Sequence, residues 1–474
     1  MVFSSLSFLF LFLPVVVAAY YLMPTRPLKN ALLLVSSLVF YAWGEPVYVI
    51  LMVISTFNDY GFTLLWHRMK TKNRMGWAKL FFLLSIVVNL GLLGWFKYHD
   101  FAMTNLNVLF GWHLPLRALP LPIGISFYTF QTMSYSIDAW RGKVKVQRNL
   151  LNMATFVTLF PQLIAGPIVR YAQVEDELGG RTHSFDMVAD GLRRFIKGLA
   201  KKVLLANQAG LIADAVFNQP AESSGTLLVW LGALAYTLQI YYDFSGYSDM
   251  AIGLGKVFGF HFPENFLHPY AARSITDFWR RWHVSLSTWF RDYVYIPLGG
   301  NRVRVGRQVF NLLLVWLLTG LWHGASWNYV LWGLYYGVLL TGEKFLWPKV
   351  LSRLEGSTWT RGLLRVGTLF LVVIGWVLFR VENLPEMAAF VTRLFVFEPT
   401  TIRSLLAAHQ DVLQALPWLI PGIALAFGRP NALTNGNPDR RWPWAADLLR
   451  FALLGLCLVY LVGETYNPFI YFRF

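Results

Sequence analysis

The chain is poor in the features from which most soluble enzymes are built. It has one cysteine in 474 residues, and 14% of its residues are charged, against roughly 25% in soluble domains. The lone thiol, Cys457, lies in "FALLGLCLVYLVG", which excludes an intramolecular disulfide and any cysteine-based metal cluster. No GxSxG element is present, so nothing points to a nucleophile-elbow hydrolase. No HxxxH, HxxEH or His–Asp cluster lies near His283 or His323, and so the spacing of a metal site is missing there. There is no internal repeat, no low-complexity linker and no separable soluble module. The formal charge of +16 therefore does not mark a nucleic-acid surface. Basic loops on the cytoplasmic side of a membrane protein explain it.

What the chain does have is hydrophobicity. Apolar residues make up 56% of it, and mean hydropathy is +0.47. Runs of about twenty apolar residues recur along its length, enough for a helix to cross the hydrocarbon core. The runs are too long for barrel strands and do not alternate, so helices are expected throughout. The reading is an all-α polytopic membrane protein with about ten to twelve spans, forming one integral domain over residues 1–474. "SFLFLFLPVVVAAYYLM" lacks a basic n-region and reads as a retained first span.

Loop charge orients the first spans. "MPTRPLKN" is basic, "WGEP" is a tight acidic turn, and "HRMKTKNRMGWAK" has no acid. Short basic loops stay in the cytoplasm, which puts the N-terminus outside, the loops near 26 and 70 inside, and "RGKVKVQRN" at 141–149 inside. The segment "LLNMATFVTLFPQLIAGPIVRY" is broken by Pro161, Gly166 and Pro167, as a re-entrant or kinked element would be. Residues 172–201 read as amphipathic surface helix. Later spans are expected near 203–218, 225–243, 308–322, 327–346, 364–380, 414–428 and 446–464. Residues 261–307 carry seven arginines and many aromatics. That segment is too polar for lipid and too aromatic for a solvated loop, so amphipathic helices in the interface or dipping into the bundle are expected.

Nine histidines are present. His67, His183 and His409 lie in polar segments, His99 and His113 flank an outside loop, and His261 and His268 suit surface or capping roles. His323 differs. It interrupts the apolar stretch "WLLTGLWHGASWNYVLWG", and His283 lies in "FWRRWHVSLSTWFRDY" among Trp and Arg. Polar groups at membrane depth are costly and tend to mark cavities and sites. A buried imidazole stays neutral and can accept a proton, as a general base must. The structural alternative is a helix–helix hydrogen bond. Two further polar stripes, Ser126, Tyr128, Gln131, Ser134 and Asp138, then Gln239, Asp243, Ser245 and Asp249, have helical spacing. They suggest either helix glue or the lining of a tunnel. The glycines of "SGYSDMAIGLGKVFG" follow no strand and fit close helix packing rather than a nucleotide site.

"FWRRWHVSLSTWFRDYVYIPLGGNR" followed by "LLTGLWHGASWNYVLWG" resembles the signature of the membrane-bound O-acyltransferase family. "FYTFQTMSYSIDAWRG", "LFPQLIAGPIVRY", "YYDFSGYSDMAIGLGKVFGF" and the terminal "NPFIYFRF" look like its alginate-type branch. The resemblance covers essentially the whole chain, with a signature core at about 121–346. It implies a bundle with re-entrant and interfacial amphipathic helices around a central tunnel, with His323 as catalytic histidine and His283 as the second motif residue. It also implies a bacterial inner-membrane enzyme with no permanently bound cofactor. Such an enzyme moves an acetyl group from cytoplasmic acetyl-coenzyme A toward a periplasmic acyltransferase or polysaccharide acceptor, here of alginate type. Acetylation of another glycan (cellulose, peptidoglycan) and D-alanyl transfer are alternatives. So, from another class, is a secondary transporter, though that predicts repeat symmetry that is not found. For the chemistry, Arg280, Arg281 and Arg291 suit coenzyme A phosphates. Ser326 and Asn328, with Asp243 and Gln239, are candidates for the oxyanion or tunnel lining.

Overall fold

The computed structural model describes residues 1–354, 356–399, 410–427, 443–463, 466 and 469–470. His409 and most of the terminal "NPFIYFRF" lie outside the described residues. Among the described residues there is no strand. Apolar runs in lipid have to satisfy their backbone groups internally, and the helix does so within one segment.

The helices are α1 (Phe8–Leu22), α2 (Arg26–Ala42), α3 (Val49–Thr71), α4 (Met75–Phe110), α5 (Ile125–Trp140) and α6 (Leu150–Thr158). Next come α7 (Tyr171–Gly180), α8 (Phe185–Ala200), α9 (Asn207–Phe217) and α10 (Thr226–Val257). Two seven-residue helices follow, α11 (Ile275–Arg281) and α12 (Val284–Phe290). Then come α13 (Val305–His323), α14 (Trp327–Phe345), α15 (Thr358–Arg380), α16 (Leu384–Arg393), α17 (Gln410–Phe427) and α18 (Pro443–Gly463), with shorter helical turns between some of them. Among the described residues five helices, α3, α4, α13, α15 and α18, are long and apolar enough to cross a membrane, and α1 and the greater part of α17 are shorter apolar helices. The chain is a multi-pass membrane protein. Helices α10 and α14 are as long but mix in polar side chains, among them the candidates Gln239 and Asp243 on α10 and Asn328 on α14.

The chain packs as two compact units, residues 1–195 with 247–263, and residues 196–246 with 264–474. In the first, Phe3, Phe8, Phe12, Phe40 and Phe160 form a fully buried aromatic cluster. The break expected at Pro161 is there: α6 ends at Thr158, and the chain turns through Phe160–Leu163. In the second unit the core is a ring system of Trp279, Trp282, Trp316, Trp332, Tyr336 and Trp376.

One expectation needs correction. The span expected at 225–243 does not stop there; α10 continues to Val257, because Ser245, Gly246 and Ser248 are buried inside protein and no proline interrupts the helix. The 261–307 segment takes the second of its two expected placements and dips into the protein. It folds into α11 and α12, whose Ile275, Phe278, Trp279, Leu286 and Trp289 are buried. Ser274 starts α11 by accepting from the Asp277 N–H. The chain then turns at His283, whose φ of +45° separates the two helices.

Candidate active site

His323 is the last residue of α13. Its position depends on how closely α13 and α14 approach. A Cβ on Gly320 would lie 2.2 Å from the Tyr329 carbonyl oxygen, and one on Gly333 would lie 2.3 Å from that of Trp316. Only glycine at both positions lets the two backbones touch. The hairpin tip is consequently buried: Trp322, His323 and Asn328 are at most 5% exposed.

Three rings wall the His323 imidazole edge-on, Trp322 at 4.9 Å, Trp332 at 5.1 Å and Phe379 at 5.2 Å between centroids. Trp322 also meets His283, at 5.7 Å, and Phe244 covers the other side of His283 at 4.6 Å. The two histidines thus belong to one buried aromatic array bridged by the Trp322 indole.

His283 is held by Asn265, a buried residue of the loop before α11. The Asn265 Oδ1 accepts from the Ser285 N–H at 3.2 Å and the Ser285 hydroxyl at 2.9 Å. Those donors identify it as the oxygen, so the contact with His283 Nδ1 at 3.3 Å places the ring proton on Nδ1. His283 lies between short helices, outside the spanning ones, and burial pushes its pKa down to about 3. It is therefore a neutral ring with its lone pair on Nε2.

The other sequence candidates are distributed around this array. Ser326 is half-buried at the N-cap of α14. Asn328 donates to the Phe379 carbonyl at 3.1 Å and the Leu378 carbonyl at 3.5 Å. It acts as a strut tying α14 to the end of α15, and so fixes the Phe379 ring against His323. Asp243, one residue from Phe244, pairs with buried Lys202 at 2.6 Å and accepts from the Ile470 N–H at 2.7 Å. Gln239 packs against Gly210, where a Cβ would come within 2.6 Å of its Nε2. Of the three arginines, Arg281 pairs with Asp277 at 2.7 Å and Arg291 with Asp292 at 2.7 Å. Arg280 is exposed and has no carboxylate partner among the described residues.

Asn265, Trp322, Phe379 and Lys202 were not evident from the sequence. Each is a common residue in an apolar or aromatic context, and only the fold gives it a neighbour that matters. Among the described residues no group of three or more His, Cys, Asp or Glu side chains could hold a metal ion.

A cavity of about 400 Å³ opens beside this array, lined by Tyr236, Tyr329, Arg380, Glu382 and Glu386 among others. Tyr329 packs on Phe379 at 5.0 Å, and Phe379 packs on His323. Tyr329 and Phe379 in turn link the cavity wall to the imidazole.

A buried, aromatic-walled histidine at the tip of a membrane hairpin, with a second neutral histidine in the same array, is an arrangement suited to acyl transfer. The chain belongs to the membrane-bound O-acyltransferase family, whose description matches residues 144–382, and it is an O-acyltransferase. Among its relatives, a Pseudomonas putida protein named "Probable alginate O-acetylase AlgI" is 41% identical over the full length of both chains. The Pseudomonas aeruginosa protein of the same name is 45% identical over 94% of this chain and 85% of its own. A Helicobacter pylori peptidoglycan O-acetyltransferase is 36% identical over 81% of this chain and 78% of its own.

Proposed function

We propose that this membrane O-acyltransferase takes an acetyl group from acetyl-coenzyme A on the cytoplasmic side and delivers it outward for O-acetylation of an exopolysaccharide of alginate type. The observation that carries the reading is the buried His323, walled by rings and linked through Phe379 and Tyr329 to an open cavity. Loop charge supports the direction. The start of α13 carries Arg302, Arg304 and Arg307, and the start of α15 is preceded by Lys344, Lys349 and Arg353. The positive-inside rule assigns those ends to the cytoplasm. The His323 end of α13, the Arg380 end of α15 and the cavity between α9, α15 and α16 then face outward.

The chemistry follows from an activated donor. His323 accepts the proton of the acceptor hydroxyl as its oxygen attacks the thioester carbonyl; the C–S bond breaks, and the proton passes to the departing sulfur. A thioester and an alcohol become an ester and a thiol, with no net proton. His283, neutral with Nε2 as acceptor, orients a hydrogen-bond donor in the same array. Arg280 is the exposed cation available to a donor phosphate. The acceptor assignment rests on the full-length relatives named for alginate. The inner membrane of a bacterium, where a cytoplasmic donor and a periplasmic polymer are separated by one bilayer, is the matching location.

The test uses inverted membrane vesicles with acetyl-labelled coenzyme A and an uronate polymer. Label should reach the polymer with the wild-type chain and not with His323→Ala at equal expression. Label reaching a different glycan, or lipid, would replace the acceptor, and transfer by His323→Ala would remove the mechanism.

A further inference from the structure

A cluster of cations in the first unit has no part in this chemistry. It gathers where α1 ends, α2 begins and the chain passes from α7 to α8. The Lys29 Nζ lies 5.0 Å from the centre of the Tyr20 ring and 5.7 Å from that of Tyr21. The Arg181 guanidinium lies 5.5 Å from the centre of the same Tyr20 ring, and its Nε donates to the Tyr20 hydroxyl at 2.7 Å. The His183 Nε2 meets that hydroxyl too, at 2.9 Å, and Arg26 donates to the Gly179 carbonyl at 3.2 Å. Gly259, at φ +85°, leaves room for two of them: a Cβ there would come within 2.9 Å of the His183 Nε2 and 3.1 Å of the Arg181 Cδ. Arg26 is exposed, Lys29 half-buried and Arg181 buried, so the cluster runs from the surface inward.

No carboxylate answers these charges. Glu177, four residues before Arg181, gives its side chain to His261, lying 2.6 Å from the Nδ1 and accepting from the backbone N–H at 3.1 Å. Among the described residues Arg26, Lys29 and Arg181 form no ion pair. Burial lowers the His183 pKa, and Lys29, Arg181 and Arg26 lower it further, so the local field is positive. Arg181 is 4% exposed, and its Nη2 has no hydrogen-bond partner. A buried guanidinium without a counter-charge is costly. The rings of Tyr20 and Phe260, the second at 4.6 Å, offset part of that cost. What the cluster lacks is an anion with several oxygens, as a phosphate is. Position names its source. Loop charge sets the turn between α1 and α2 on the cytoplasmic face, where anionic lipids are found and basic pockets between helices take their headgroups. Leu22 and Leu28 flank the cluster in sequence and are 80% and 46% exposed, so apolar surface for acyl chains adjoins it.

We infer that Arg26, Lys29 and Arg181 form a headgroup site for an anionic phospholipid of the cytoplasmic leaflet. The site uses no residue of the acyl-transfer array, and its test reads no transfer. A lipid that binds the folded chain and not the unfolded one raises its melting temperature. The experiment melts the purified full chain in detergent with phosphatidylglycerol, with phosphatidylcholine of the same acyl chains, or with inorganic phosphate, all at one low ionic strength. Phosphatidylglycerol should raise the melting temperature above that in phosphatidylcholine by about 2 °C or more, and inorganic phosphate should not reproduce the shift. Arg26→Gln combined with Lys29→Gln should lose the shift; should that pair not fold, Lys29→Gln alone should lose most of it. Lys72→Gln combined with Arg74→Gln, two exposed cations of the loop between α3 and α4, should keep it. Equal melting in the two lipids overturns the proposal, as does a shift that survives without Arg26 and Lys29. A shift that both double variants lose alike marks diffuse attraction to a basic face and overturns it too. A shift given in full by inorganic phosphate assigns the cluster to a soluble phosphate and removes the lipid.

Discussion

In the proposed mechanism acyl transfer depends on His323, and the surroundings of this residue make that dependence separable from folding. Its ring fills a slot between three aromatic side chains, so His323→Phe keeps the volume and the edge contacts while removing the base. Acetyl transfer should fall by at least about 10²-fold, and the protein should purify with an unchanged melting temperature. A parallel loss of folded protein would mean that the imidazole is a packing element. His283 offers a second measurement with a definite sign. Its folded pKa near 3 lies below the value of about 6.5 for an unfolded histidine. Below that pH the unfolded chain binds a proton that the folded chain refuses, so the stability present above pH 6.5 is lost as pH falls. His283→Gln removes this linkage, and its melting temperature should decline less steeply than that of wild type between pH 7 and 5. For donor binding, Arg280→Ala should raise the apparent KM for acetyl-coenzyme A several-fold, while Arg291→Ala, already paired with Asp292, should change it less.

At the scale of the element, the α13–α14 hairpin is the unit that builds the site. Gly320 and Gly333 set the distance between the two helices, and Asn328 fixes the end of α15 against them. Adding a methyl at Gly320 forces a Cβ into the Tyr329 backbone, where no flexible side chain can give way. Gly320→Ala should therefore destabilise the chain by about 1–3 kcal/mol, read as a lower melting temperature, and reduce transfer further by displacing His323. Much of this hairpin was legible beforehand. The apolar runs located α13, α14, α15, α17 and α18 to within several residues, and a histidine amid "WLLTGLWHGASW" was conspicuous because lipid does not tolerate it without cause. What could not be read was pairing. Asn265 and His283 are neighbours only because two seven-residue helices fold back on the loop. Asp59 on α3 and Asn89 on α4 are joined by a hydrogen bond of 2.7 Å, and nothing in either run says that the two faces meet. Periodicity reports the face of one helix; it does not say which face of another helix meets it.

For the whole molecule, the question is how the acceptor reaches a histidine buried in protein. In the proposed orientation the basic ends of α13 and α15 lie on the donor side. The cavity lined by Tyr329, Arg380, Glu382 and Glu386 lies at the other ends of those helices. Its guanidinium is already engaged by Asp214 at 2.8 Å and Asn218 at 2.9 Å, which leaves Glu382 and Glu386 as the charges that face an incoming group. If the acceptor enters here, filling the opening should affect the acceptor and not the donor. Glu382 is exposed at the rim, so Glu382→Trp adds bulk without disturbing the core. It should raise the KM for acceptor or lower transfer by about tenfold, a barrier of roughly 1.4 kcal/mol. The affinity for acetyl-coenzyme A should stay within twofold of wild type. A variant that transfers normally would show that the acceptor takes another route to His323. Loss of donor affinity instead would put this opening on the cytoplasmic side and reverse the assigned orientation.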